Sequence, residues 1–294
     1  MATMRELKRR IGSVHSSQKI TGAMKMISSA RLRKAENALN RARPYQEQLK
    51  VLLNHITEAD CEYRSPYSIE RKVKKVTVIV FASDEGLCGS FNVSLFKKLE
   101  EAVKEYREMG VAIRVFPVGR KIVGEVKRIH GIETGAVSPL FGQKKYVEAI
   151  KELADTLMAD YVAAETDRVD VIFTRYKSVG VQTLSRIQLL PLIKLNTEQP
   201  VESPAVSRKK FNYIYEPDCE TIFRELYPLI IRTILYKALL ENQTSEQAVR
   251  ILSMQAANDN AIKLLSKLQL EYNKLRQQGI TTELLDMAGG SIQQ

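Results

Sequence analysis

The residues best placed to do chemistry are Ser83-Asp84-Glu85-Gly86-Leu87-Cys88-Gly89-Ser90, a polar, glycine-bearing stretch between two apolar ones. A glycine turn between a strand and a helix is where α/β folds cradle phosphate, because the first N–H groups of a helix lack helical partners. Gly86 and Gly89 show neither GxGxxG spacing nor a following Lys-Ser/Thr, so the pattern favours a tight strand-to-helix turn over a phosphate loop. Cys88 could be a thiol of lowered pKa at that helix start, but no histidine stands near it in sequence to complete a nucleophilic dyad. His15, His55 and His130 are as scattered as Cys61, Cys88 and Cys219. No metal site with sensible ligand spacing can be written from them. No catalytic constellation and no cofactor are expected.

The second chemical feature is charge. Residues 1–43 hold eleven Lys/Arg against only Glu6 and Glu36, a net +9 out of +11 for the whole chain. A merely solvated helix face mixes signs at i,i+4, so the imbalance points to an acidic partner. An acidic protein surface is preferred to nucleic acid, since no aromatic interleaving or nucleic-acid module accompanies the charge. The odd, dispersed cysteines fit a reducing compartment. No apolar stretch approaches the ~20 residues of a membrane-spanning helix, and no secretory h-region precedes the basic segment. The start is also Arg-rich and amphipathic, as a mitochondrial presequence would be, but its helical pattern runs on without a cleavage-like break. A bacterial cytosolic setting is favoured.

Long helices should position these residues. A heptad frame holds Met4, Leu7, Ile11 and Val14, then Leu32, Ala35, Leu39 and Ala42, then Leu49, Leu53 and Ile56. As one helix it would reach ~80 Å, and its narrow stripe requires a partner helix. Between the first two groups the frame falls on Gln18, Thr21, Lys25 and Ser28, while apolar residues shift to Ile20, Met24 and Ile27. This predicts a stripe that rotates around the helix as its neighbours change. Pro44 predicts a bend. A second seam, Ile251, Met254, Asn258, Ala261, Leu265, Leu268, Tyr272 and Leu275, lies in a helix expected from about Asp218 to Met287.

Between the long helices, strands are predicted at 76–81, 111–118, 169–176 and 181–192, and helices at 92–109, 120–130 and 146–166. A proline-bearing linker is expected at 196–208. Strand–helix alternation with continuous apolar strands indicates a Rossmann-like α/β domain. The expected domains are a coiled-coil helix at 1–58, the α/β domain at 73–195, and a coiled-coil helix at 216–290 that pairs with the first.

The sequence resembles the gamma subunit of F-type ATP synthases. The resemblance rests on Arg5-Glu6-Leu7-Lys8-Arg9-Arg10-Ile11 and on Gln18-Lys19-Ile20-Thr21-Gly22-Ala23-Met24-Lys25-Met26-Ile27. It continues through 83–92, Glu241-Asn242, 245–250, Tyr272-Asn273-Lys274-Leu275-Arg276-Gln277 and Ile280-Thr281-Thr282-Glu283-Leu284. These blocks span almost the whole chain. Glu85 stands where the family usually carries Arg or Lys. Gly22 replaces a commonly larger residue, at a helix cost of ~1 kcal/mol. The tail 289–294 is more polar than usual, and the cysteine insertion of the chloroplast form is absent.

The resemblance implies a non-catalytic central rotor stalk. Its terminal helices would form an antiparallel coiled coil inside three alpha and three beta subunits, with the α/β domain near the epsilon subunit and the membrane c-subunit ring. Rotation would couple proton flow to ATP synthesis or hydrolysis on the beta subunits, and the stalk would regulate ATPase activity and proton flow. Met24, Lys25, Arg250, Arg276, Gln277, Thr281 and Glu283 are the implied contacts with the beta subunits, and Asp84, Glu85 and Cys88 form a loop near beta or epsilon. Membrane association would be peripheral, through the complex, on the cytoplasmic side of the bacterial inner membrane. The alternative is a basic coiled-coil protein associated with nucleic acid.

Overall fold

The computed structural model describes residues 3–58, 65–135, 146–192, 216 and 218–290. The expected linker at 196–208, Cys61, the last residues of the expected α/β domain and the extreme C-terminus lie outside them. The elements in chain order are α1 (Met4–Glu58), a 3-10 turn (Pro66–Ser68), β1 (Lys75–Phe81), α2 (Phe91–Glu108), β2 (Ala112–Val118), α3 (Arg120–Val126), β3 (Glu133–Thr134), α4 (Tyr146–Val162), β4 (Arg168–Ser178), β5 (Val181–Leu190) and α5 (Cys219–Gly290). They form two compact units, residues 32–249 and residues 1–31 with 250–294.

The larger unit is built on a five-stranded sheet of order β3-β2-β1-β4-β5. β1, β2, β3 and β4 run parallel, and β5 returns antiparallel as a hairpin on β4. β1 reads as an unbroken apolar run because both its faces are covered. Ile79 and Phe81 point to one core with α4 and the first turns of α5, where Ile150, Leu157, Tyr161, Phe223, Ile231 and Leu235 gather. Val76, Val78 and Val80 point to the other, with Leu95, Leu99 and Val103 of α2 and Ile122 of α3. Leu49 of α1 joins the first core. Helices on both faces of a mostly parallel sheet make this a doubly wound α/β body.

Local chemistry sets the element ends. α2 stops where Gly110 takes φ 69°, with Val111 N–H reaching back to Tyr106 O at 3.0 Å; glycine alone enters that region without strain. α5 starts after Asp218, whose Oδ1 accepts from the Thr221 N–H at 2.7 Å, the bond of a helix N-cap. The helices expected at 120–130 and 146–166 are shorter than predicted. After Val126 the chain tightens, with Arg128 N–H bonding Glu125 O and Ile129 N–H bonding Val126 O. α4 ends as Ala164 takes φ 58°. β3 was not expected; its two residues are too short to carry a pattern. α1 continues through Pro44 as one helix, and α5 through Pro228.

The smaller unit is an antiparallel helix pair. Lys25 Nζ donates to Gln255 Oε1, and the Cβ position at Gly22 faces Asn258 Oδ1 at 3.9 Å. The predicted C-terminal seam is the observed one: Met254 and Leu268 are buried and the other six positions half-buried, and from Ala261 to Leu275 every residue between seam positions is exposed. On α1 the structure corrects the expected rotation. The seam keeps its frame, with Gln18, Thr21 and Lys25 half-buried and Ser28 buried. Ile20, Met26 and Ile27 are 60%, 70% and 54% exposed. Polar side chains that hydrogen-bond across the pair can hold the seam, so Ile20, Met26 and Ile27 are left outside while Met24 is half-buried.

Candidate functional site

Two regions carry the residues singled out from sequence. The first is the turn after β1. Ser83 N–H donates to Asn92 Oδ1 at 3.1 Å, Ser83 Oγ donates to Glu85 O at 2.7 Å, and Asn92 Nδ2 donates to Cys88 Sγ at 3.4 Å. Asn92, from the first turn of α2, thereby ties both ends of the loop together. Cys88 is buried, which removes it from the surface of this chain. Asp84 Oδ1 accepts from the Arg120 N–H at 2.9 Å. Burial pushes the Asp84 carboxyl above the usual range, and the Arg120 bond and charge offset this in part. A carboxylate thus occupies the start of α3, where a phosphate would meet its own charge. Leu87 takes φ 62° and is 63% exposed, followed by Gly89 at φ 57°. A leucine in the left-handed region is strained, and the loop presents it outward. Glu85 is exposed beside it. Among the described residues no group of His, Cys, Asp and Glu could hold a metal ion.

The second region is the helix pair. Ten of the eleven basic residues in the first 43 are exposed; Lys25, half-buried, is the exception. Its bond to Gln255 continues to Asp259, which accepts from Gln255 Nε2 at 2.8 Å. Met24 beside it is half-buried. Arg250 is 2% exposed, far more enclosed than a surface contact residue is expected to be. Arg276, Gln277, Thr281 and Glu283 are all exposed. They lie beyond Leu275, the last position of the seam, and Thr281 Oγ1 donates back to Gln277 O at 2.9 Å. The two regions are separate sets of residues, and neither assembles an acid, a base and a nucleophile.

Sequence reasoning missed a buried polar group on α5. Glu241, Asn242, Thr244, Ser245 and Glu246 are all buried, although each stands in or beside a block quoted for the family resemblance. The available signal was a run of polar residues, Glu241 to Glu246, directly after the largely apolar stretch from Leu229 to Leu240; buried polar groups normally require partners. Asp170 was missed for the opposite reason: one carboxylate in a strand carries no periodic signature.

A family model described as ATP synthase matches residues 3–292. The ATP synthase gamma chain of Bacteroides thetaiotaomicron is 41% identical over 299 residues, covering 100% of both chains. That of Psychrobacter arcticus is 35% identical over 291 residues, covering 99% of both. Among solved structures, the rotor of the Euglena gracilis mitochondrial ATP synthase superposes with TM-score 0.62 at 17% identity, covering 94% of this chain and 98% of that one. The central stalk and c-ring structure from Tetrahymena thermophila gives TM-score 0.59 at 22% identity, covering 81% and 99%.

Proposed function

Because the chain belongs to the gamma-chain family of ATP synthases along its whole length, we infer that it is the central rotor stalk of an F-type ATP synthase. It is a non-catalytic subunit whose rotation couples transmembrane proton flow to ATP synthesis or hydrolysis on other subunits. It also regulates ATPase activity and proton flow. The observation that carries this is full-length kinship to gamma chains in a molecule whose long helices pair antiparallel. Nothing favours the nucleic-acid alternative.

The partners are those of an ATP synthase. In finer detail, the helix pair turns inside three alpha and three beta subunits, and the α/β body meets the epsilon subunit and the c-subunit ring. Solved assemblies of similar fold support this, being named as a central stalk with a c-ring and as F1 with a c-ring. The working division is a shaft of residues 1–58 and 216–290 and a body of residues 73–195. The shaft's inner segments also serve the body, since Leu49 and Phe223 belong to its core. Membrane association runs through the complex, on the cytoplasmic face of a bacterial inner membrane. Among the described residues no helix is long and apolar enough to cross one.

Arg276, Gln277, Thr281 and Glu283 are the proposed direct contacts with the beta subunits, and their exposure supports that role. An arginine at such a contact offers directional bonds to carboxylates. Met24 and Lys25 contribute from the paired segment. Arg250 and Cys88, both buried, act by holding α5 and the loop of Asp84 and Glu85 in place.

The test is magnesium-ATP hydrolysis by matching alpha and beta subunits, with and without this chain. A stable complex with one copy per six partner subunits and sustained turnover is expected. In the whole ATP synthase, with its c-subunit ring in sealed vesicles, Arg276→Ala should then lower ATP-driven proton pumping more than hydrolysis. No assembly and no change in turnover would remove the rotor assignment.

A further inference from the structure

A doubly wound sheet leaves a crevice at the carboxyl ends of its strands where the strand order reverses, and ligands of this fold bind there. Here the reversal lies between β1 and β4. β1 pairs with β4 only as far as Val80 opposite Ile172, while β4 continues to Ser178. Backbone groups alternate sides along a strand with a period of two. Beyond Ile172, the next groups on the side left by β1 therefore belong to Thr174.

A helix takes the place of the missing strand. Thr174 N–H donates to Asn242 Oδ1 at 3.0 Å, and Thr174 O accepts from Ser245 Oγ at 3.0 Å. Asn242 and Ser245 are three residues apart on α5, hence on one face, and both are 0% exposed. Beside them Glu241 stands 3.7 Å from Lys237 and 3.9 Å from Arg175 of β4.

These bonds differ in kind from the apolar packing of α5 on the body and, being fully buried, from the Arg232–Asp155 ion pair between α5 and α4, whose side chains are 36% and 42% exposed. The apolar packing of Phe223, Ile231 and Leu235 is non-directional and tolerates small rotations of the helix. Two hydrogen bonds to one strand residue, each requiring good alignment, set both the height and the angle of α5. Ser245 stands within about one turn of the point where α5 passes from one compact unit to the other, at Val249 and Arg250. We propose that Thr174, Asn242 and Ser245 form an anchoring clasp that fixes the rotational setting of α5 where it leaves the sheet body. In the rotor reading, on which this rests, the clasp sets the torsional stiffness with which helix rotation reaches the body.

The experiment uses the complex of alpha, beta and this chain, with the alpha–beta ring immobilised and a probe on the α/β body. Angular fluctuation is recorded at the ATP-waiting dwell, alongside bulk hydrolysis. In the Asn242→Ala/Ser245→Ala variant the angular variance should at least double while bulk hydrolysis stays near the wild-type rate. Hydrogen exchange should show protection lost at the Thr174 amide and kept at Ile172. Unchanged variance with the Thr174 amide deprotected overturns the clasp. If the double variant does not assemble, Ser245→Ala alone decides: an intermediate variance supports the clasp, and a wild-type variance overturns it. A wild-type chain that fails to assemble or rotate would sink the rotor reading instead, so the two failures are distinguishable.

Discussion

At the scale of single residues, the α/β body holds charge that is costly to disturb. Asp170 is 0% exposed and accepts from Tyr106 Oη at 2.7 Å, Arg186 Nε at 2.6 Å and Arg168 Nε at 2.9 Å. Burial, together with the Asp170 charge, pushes the Tyr106 hydroxyl up to about 12, so it remains a donor throughout the working range. Asp170→Asn leaves two guanidinium groups without their shared carboxylate and should cost about 3 kcal/mol, read from urea unfolding; a loss near zero would show that Glu105 suffices for Arg186. Glu241 behaves differently. Burial holds its carboxyl above the ordinary range, and Lys237, Arg175 and Arg43 pull it back only in part. The folded chain therefore holds this proton more tightly than the unfolded chain, and the linked stability is present at low pH and lost as pH rises through the folded-state value. Glu241→Gln should gain thermal stability relative to wild type on going from about pH 4 to about pH 8. Parallel melting curves across the series would contradict this.

Among the elements, the helix pair shows an inversion of the usual amphipathic rule. Over the stretch from Gln18 to Ser28 the seam is polar, while Ile20, Met26 and Ile27 face outward. A polar seam adheres weakly, and single polar positions trade stability for specificity in coiled coils. Lys25→Leu with Gln255→Leu should stabilise the isolated chain by about 1–2 kcal/mol. The triple change Ile20→Gln, Met26→Gln and Ile27→Gln should alter its stability by no more than about 0.5 kcal/mol, yet weaken binding to the alpha–beta complex. Unfolding by circular dichroism and co-purification measure the two effects. A large loss of stability in the triple variant would mean that these side chains belong to the chain's own core.

For the whole molecule, the dominant quantity is the uneven charge: most of the net +11 lies in the first 43 residues. Exposed charges at such a surface are screened over ~10 Å at 0.1 M salt, and each pair contributes only ~0–1 kcal/mol. Contacts of that kind suit a surface that must bind and release in turn. Affinity for the alpha–beta complex should accordingly fall several-fold between about 0.05 and 0.5 M salt, measured by titration. Salt-independent affinity would assign the contact to the exposed apolar residues instead.

Some of this was legible in the sequence because it is local. The seam from Ile251 to Leu275 and the strand from Val76 to Phe81 are periodic or continuous runs; all six strand residues are buried and every seam position is buried or half-buried. The family was legible because its blocks recur in order from Arg5 to Leu284. The remainder required tertiary structure. Ser28 is buried and Ile27 exposed because α5 lies along the side of α1 that carries Gly22 and Lys25. The two residues of β3 are a strand only because β2 lies alongside. Asn242 and Ser245 meet Thr174 across 68 and 71 residues of chain. Hydropathy at one position records how readily a side chain leaves water. It does not record which distant backbone will stand opposite, and that pairing decided which polar residues were buried, where the ladder of β1 ended, and why a helix completes it.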